Sequence, residues 1–167
     1  MQVYTGEGKG KTTAAFGLAL RAAGAGLKVF IAQFVKGAHY SELDALARFA
    51  DLITIRQYGQ ACFIHGPPQA KDVEAAREGL LESRRALLSG EYAVVILDEA
   101  NVATHFGLFS VESLLELIAA RPAGVELVIT GRRADPRVIE RADLVTEMRE
   151  VKHYYTRGVG GRKGIEK

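Results

Sequence analysis

The sequence is short of several things, and each shortage narrows what it can do. It holds one cysteine, Cys62, in 167 residues, so no internal disulfide forms and a reducing compartment suits it. No apolar run approaches the roughly 20 residues that a membrane span requires. No signal peptide is visible either, because the sequence opens directly into a strand pattern; the expectation is a cytoplasmic protein. The net charge is only +2, and no stripe of basic and aromatic residues argues for nucleic acid. The four histidines, His39, His65, His105 and His153, show no metal-ligand spacing among themselves or with Cys62. Tryptophan is absent, and so are internal repeats and low-complexity tracts.

What is there suits one globular domain with a core of its own. Hydrophobic residues make up 48% and charged residues 25%, as in ordinary soluble proteins. The positive charge is uneven. From Arg149 onward six basic residues face two acidic ones, a tail of +4 that leaves −2 elsewhere. We divide the chain into a nucleotide-binding and catalytic part, residues 1–148, and a basic tail of the same domain, residues 149–167, which is either a solvated end or an anion-binding one.

Residues Thr5-Gly6-Glu7-Gly8-Lys9-Gly10-Lys11-Thr12-Thr13 organise the rest. They follow a short strand pattern and precede a helical one at residues 11–23, the context a phosphate-binding loop needs. Gly6, Gly8 and Gly10 let the backbone turn tightly and aim its N–H groups at phosphate oxygens. The helix adds its free N-terminal N–H groups and the positive end of its dipole. Lys11 brings a charge, and the Thr12 hydroxyl is placed to ligate the nucleotide's Mg²⁺. In the consensus G-x-x-x-x-G-K-[ST] the first position is glycine, whereas here it is Thr5, with Gly6 one place later.

Further strands are expected at residues 28–35, 52–56, 92–97, 125–130 and 144–148, and helices at 41–50, 69–88, from Ser110, and 136–142. Ser110 reads as the first residue of a capping box. Alternating strands and helices predict a three-layer α/β domain with a mainly parallel sheet, like that of P-loop NTPases. Four polar clusters fall at predicted strand ends, where sites in such sheets gather: the phosphate loop, Gln33 to Gly37, Asp98-Glu99, and Thr130 to Arg133. A strand-tip carboxylate binds Mg²⁺ directly or through water, which makes Asp98 and Glu99 metal candidates beside Thr12. Arg132 could meet phosphate. Gln33 and Lys36 have only their position to recommend them.

The residues by themselves lead as far as an enzyme for a Mg²⁺–nucleoside triphosphate. The wording of the motifs goes further. The stretch from Thr5 to Gly17, including the threonine in place of the first glycine, resembles the phosphate loop of the P-loop type of ATP:corrinoid adenosyltransferases. Gln33-Phe34-Val35-Lys36-Gly37, Val95-Ile96-Leu97-Asp98-Glu99, Ile129-Thr130-Gly131-Arg132, the segment from Ala142-Asp143 through Val151-Lys152-His153, and Gly164-Ile165-Glu166 look like that family's later blocks, in the same order. The resemblance covers essentially the whole chain. It implies transfer of the 5′-deoxyadenosyl group of ATP to the reduced cobalt of a corrinoid, with triphosphate released and adenosylcobalamin formed. It implies Mg²⁺ (or Mn²⁺), a homodimer and an electron-donor protein. The cobalt is itself the nucleophile, so no Ser, Cys or His nucleophile is required. Lys11, Thr12 and Glu99 are then the catalytic candidates, and Gly6 through Thr13 with Arg132 the ATP-binding ones.

Longer family members carry a segment ahead of the loop strand that helps cover the corrinoid, whereas this sequence opens at the strand. Some members place a Phe and a Trp in the loop equivalent to residues 59–63. With no tryptophan, this chain has Tyr58, Phe63 and His65 as the candidates for contact with the corrinoid. Two other readings stand beside this one. A P-loop ATPase or kinase, with Glu99 activating water or a hydroxyl, would yield ADP; an ATP-dependent binding module would turn over little of anything.

Overall fold

The apolar runs pair edge to edge. The computed structural model describes residues 1–60 and 67–166. Strands β1 (Gln2–Thr5), β2 (Val29–Phe34), β3 (Ile53–Tyr58), β4 (Val94–Asp98), β5 (Glu126–Thr130) and β6 (Leu144–Glu147) form one sheet in the order β3-β2-β4-β5-β1-β6. Every pairing is parallel. Each residue of β2 and β4 is buried, which is why these runs are apolar on both faces rather than alternating. β6 at the edge is short and exposed throughout, a modest edge of the kind that discourages pairing with other chains.

Helices cover both faces. On one, α1 (Lys11–Gly24) crosses from β1 to β2 over the intervening strands, burying Ala15, Phe16, Ala19, Ala22 and Ala23 against Val29, Ile31, Ile96 and Val128. Three- and four-residue steps put these on one stripe, and four alanines let the helix lie close to the sheet. α2 (Ser41–Leu46), continued by a 3₁₀ turn at Ala47–Phe49, adds Leu46 to this side. On the other face lie α3 (Ala70–Leu88), α4 (Ala100–His105), α5 (Val111–Ala119) and α6 (Pro136–Glu140), around Phe34, Leu97, Leu108, Leu114, Leu117, Leu127 and Val138. Among the described residues, no helix is long and apolar enough to cross a membrane.

Departures from the sequence reading have local causes. The helix beginning at Pro136 ends at Glu140, not Ala142, because the N–H groups of Asp143 and Leu144 both donate to Met1 O and draw the chain into the sheet. α4 has too few residues to show a period, and Glu99, the residue just before it, adopts φ +61°. Ser110 caps α5 by accepting from Ser113 N–H at 3.1 Å, but residue 113 is a serine and returns no carboxylate bond, so no capping box forms there. The reciprocal box belongs to α3, between Gln69 and Asp72.

β3 runs on to Tyr58, whose ring lies 6.0 Å from that of Phe34 on the α3 side. Its hydroxyl donates to Glu82, and burial, followed by that bond, pushes its pKa up. Gly79 makes this packing possible: a Cβ there would stand 2.5 Å from Tyr58 Cγ and 2.9 Å from Phe34 Cε1. Gly79→Ala sets two effects against each other. Helix propensity favours alanine by about 1 kcal/mol, whereas overpacking costs about 1–3 kcal/mol. We expect a net loss of stability, read as a lower urea midpoint; an unchanged or higher midpoint would mean that the ring moves aside freely.

Candidate functional site

The phosphate loop leaves β1 after Thr5, which is still a strand residue paired with Glu147. The turn starts at Gly6, where φ reaches +92°, so the glycine is needed one place later than the consensus puts it. Gly6 and Gly8 are also pressed against the chain beyond β6. A Cβ would meet Met148 O at 2.5 Å from residue 6 and at 2.7 Å from residue 8, and Gly8 N–H donates to the same oxygen at 2.6 Å. Gly10, at φ +118°, delivers the chain into α1 with no side-chain cap and no acidic residue in the first turn. The helix's N-terminal donors are therefore left for an anion.

Lys11 folds back over this loop, its Nζ donating to Gly6 O and Gly8 O at 2.7 Å each. Burial lowers its pKa, and the carboxylates of Glu99, Glu7 and Asp98 act against that from a distance without an ion pair to Lys11. Among the described residues this buried ammonium is held by carbonyls alone, an arrangement suited to receiving a phosphate.

Asp98 joins the strand tips. It is fully buried, and both oxygens are doubly engaged. Oδ1 accepts from Thr12 Oγ1 at 2.9 Å and Thr130 Oγ1 at 2.8 Å; Oδ2 accepts from Lys36 Nζ at 2.8 Å and Gln33 Nε2 at 3.1 Å. α1, β5, β2 and the turn after β2 thus meet at one carboxylate. Thr130 Oγ1 in turn accepts from Glu99 N–H at 2.9 Å, and Gln57 Nε2 donates to Gln33 Oε1 at 3.2 Å. Burial works against the Lys36 ammonium, but the charge and hydrogen bond of Asp98 outweigh it and hold its pKa above the ordinary lysine value. Burial, then the charge of Asp98, raises the pKa of Glu99.

Backbone strain accompanies this convergence. Val35, Glu99 and Arg133 have φ of +52°, +61° and +55°, the left-handed region that side chains, above all β-branched ones, avoid. Each lies within three residues after the end of β2, β4 or β5. Here the chain turns sharply enough to aim residues back over the sheet edge.

The result is a cavity of about 780 Å³ bounded by residues 8–13, Lys36, Glu99 and Arg132, by Phe16, Gly17, Leu20 and Tyr40 on one side, and by His153 and residues 164–166 on another. It contains the expected residues Gly8, Lys9, Gly10, Lys11, Thr12, Thr13, Glu99 and Arg132 together. Asp98 lies behind it. Arg132 Nη1 pairs with Glu7 Oε2 at 2.9 Å across an exposed edge. Lys9 is taken up by the tail, donating to Tyr154 Oη at 3.1 Å and to Ile165 O and Glu166 Oε1 at 3.0 Å. Tyr58 does not join them; enclosed by Phe34 and Gly79, it offers no face to a corrin ring. Phe63 and His65 lie outside the described residues.

Sequence reading undervalued Lys36, Gln33 and Thr130, which the fold makes members of the Asp98 cluster. Their sequence signals are a position at a strand end and membership of the blocks Gln33–Gly37 and Ile129–Arg132 that resemble the family, neither of which indicates contact with Asp98. Among the described residues no group of three or more His, Cys, Asp or Glu could hold a metal. The Thr12 hydroxyl and the carboxylates of Asp98 and Glu99 are oxygen ligands of the kind that fits Mg²⁺ completed by phosphate and water. Thr130→Val would remove one donor from Asp98 and the acceptor of Glu99 N–H. We expect a loss of about 1–3 kcal/mol in urea unfolding from the polar groups left unpaired; a loss below about 0.5 kcal/mol, the range of ordinary surface substitutions, would show that Thr130 does not tie the strand tips.

Comparison with known proteins agrees with this geometry. The profile of the family described as ATP:corrinoid adenosyltransferase BtuR/CobO/CobP matches residues 1–166. A corrinoid adenosyltransferase of Pseudomonas aeruginosa is 37% identical over 165 residues, 98% of this chain and 81% of that protein. Proteins of the same description from Sinorhizobium sp and Escherichia coli (strain K12) are 32% and 34% identical, with 98% of this chain and 78% and 83% of those proteins covered. The P-loop, the carboxylate pair and this whole-length similarity coincide, and the chain belongs to the ATP:corrinoid adenosyltransferase family.

Proposed function

We propose that this enzyme transfers the 5′-deoxyadenosyl group of ATP to the Co(I) of a corrinoid, with the phosphate loop holding triphosphate as the leaving group. The bond that forms joins C5′ to cobalt, and the bond that breaks is C5′–O. Both electrons of the new bond come from the cobalt, and those of the broken bond leave on triphosphate. The observation that carries this reading is the pairing of a loop built for phosphate with a cavity that continues past it along an apolar wall of Phe16, Gly17 and Leu20. The attacked carbon lies at the far end of the triphosphate from the γ-phosphorus. The nucleotide must therefore present C5′ to the corrinoid, which a reversed orientation in the loop would achieve.

The protein's part is to position and to receive charge. Lys11 is held next to the loop by Gly6 O and Gly8 O, and a triphosphate would replace those carbonyls with a stronger acceptor. The N–H groups at the start of α1 point the same way. Arg132 and Lys9, now paired with Glu7 and Glu166, are the mobile cations at the rim. Thr12, Asp98 and Glu99 would hold the divalent ion, Mg²⁺ or Mn²⁺. Bound there, the ion would neutralise charge gathering on the triphosphate oxygens. With Tyr58 committed to the core, Phe63 and His65 are the aromatic residues proposed for the corrinoid. A homodimer, a protein electron donor that supplies the reduced cobalt, and a cytoplasmic location complete the proposal.

The test is an anaerobic mixture of the protein, Mg·ATP and chemically reduced cob(I)alamin. We expect a light-sensitive alkylated corrinoid and one triphosphate for each, and ADP with phosphate would overturn the proposal in favour of an ATPase. In the same assay Lys11→Ala should lower turnover by at least about 10²–10³-fold, as loss of a charge-stabilising donor does elsewhere; a near-normal rate would remove Lys11 from the leaving-group role.

A further inference from the structure

A buried carboxylate needs a counter-charge, and among the described residues the one paired with Asp98 is Lys36. Of its four donors, two are threonine hydroxyls and one an amide; the fourth is the Lys36 ammonium. Lys11, although near, spends its hydrogen bonds on Gly6 O and Gly8 O. Lys36 Nζ does more than pair with Asp98. It also donates to Thr12 Oγ1 at 3.1 Å, so that it bridges the hydroxyl and the carboxylate that the proposed metal would also use.

The backbone holds it there. Val35 is β-branched and yet has φ +52°, which turns the chain sharply just before the lysine. Directly after it the backbone at Gly37 meets that at Gly59: a Cβ on residue 37 would lie 2.5 Å from Gly59 O, and one on residue 59 would lie 2.5 Å from Lys36 N. Two strained or glycine-dependent positions flank a residue that has no part in the sheet. An exit exists as well. Lys36 borders the cavity, and the Tyr40 ring lies 5.9 Å from its Nζ, an aromatic face that can hold an ammonium.

We infer that Lys36 is a resident counter-cation which fills the divalent-metal position between Thr12 and Asp98 until nucleotide arrives, and so makes metal binding conditional on ATP. A divalent ion and an ammonium cannot share two oxygens at this separation, because like charges repel strongly away from water. Metal·ATP resolves the conflict from both sides. It brings Asp98 a replacement cation, and it brings Lys36 phosphate oxygens in the cavity toward which it can swing. Free metal offers only the first of these, so it binds poorly. The exchange leaves a second lysine on the triphosphate in addition to Lys11. This rests on the reading of Thr12, Glu99 and Asp98 as the metal's surroundings.

The test uses the full chain and Mn²⁺ as the probe, titrated by electron paramagnetic resonance with and without ATP. Without ATP, Lys36→Met and Lys36→Gln should bind Mn²⁺ at least about tenfold more tightly than the unaltered protein, a usual size for coupling between sites. Lys36→Arg, which keeps the charge, should stay like the unaltered protein. Lys36→Gln retains a donor for Asp98 and so protects against loss of the fold. Thermal melting gives a second readout: Mn²⁺ alone should raise the melting temperature of the Met and Gln variants and leave the unaltered protein where it was. The inference fails if neither neutral variant gains nucleotide-free Mn²⁺ while the unaltered protein takes up Mn²⁺ with ATP. Thr12→Val separates the two readings. If it binds Mn²⁺ with ATP as well as the unaltered protein does, the metal assignment itself is wrong; if it loses that metal, the assignment stands and the Lys36 variants decide the rest.

Discussion

One buried negative charge organises the working edge of this protein. Asp98 ends the central strand β4 with no exposure to solvent, where a carboxylate is tolerable only if every lone pair is met. The four groups that meet them come from the ends of two other strands, β2 and β5, and from the first turn of α1. Their hydrogen bonds therefore do for the strand tips what the backbone ladder does for the strands. β5, inserted between β4 and the loop strand β1, supplies Thr130 and carries the connection across. The phosphate loop, the carboxylate pair and the lysine after β2 are consequently parts of one polar cluster.

A second constraint is close approach. The loop rests on the backbone of Met148, just past β6, at distances that admit no side chain on Gly6 or Gly8. The parallel pairing of β1 with β6 sets that height. From the same segment the tail turns back over the cavity, where Glu166, Tyr154 and Arg162 gather around Lys9. Hydrogen bonds from Arg162, then from the Tyr154 hydroxyl, with a smaller part from Lys9, hold the pKa of Glu166 well below the usual carboxylate range. Part of the tail, His153 and residues 164–166, thus closes one wall of the site, while Arg149, Lys152, Arg157, Arg162 and Lys163 stay exposed.

Much of this was legible in the linear chain, for reasons that particular residues make plain. The runs Val29–Phe34 and Val94–Asp98 read as strands because they are covered on both faces and need no polar positions. The glycine shift from position 5 to 6 was visible as a departure, and β1 pairing through Thr5 accounts for it. Other features were not visible. α4 is too short to carry a period, and Tyr58 sits in a stretch whose aromatics suggested ligand contact, whereas Gly79, 21 positions later, opens a core position for its ring.

By itself the sequence determined that this is a nucleotide-binding α/β domain, because phosphate binding by a loop is local. It needs glycines, a lysine and a helix start within nine consecutive residues, and no distant partner is required to recognise it. The strand ends that share a site were open to sequence reading, but the tertiary structure alone decided which of their side chains touch. Lys36, Asp98 and Thr130 are separated by 62 and 32 positions, and nothing in their local patterns indicates contact. They meet because the parallel sheet brings all its carboxyl ends to one edge, and because a buried charge draws to itself whatever donors that edge provides.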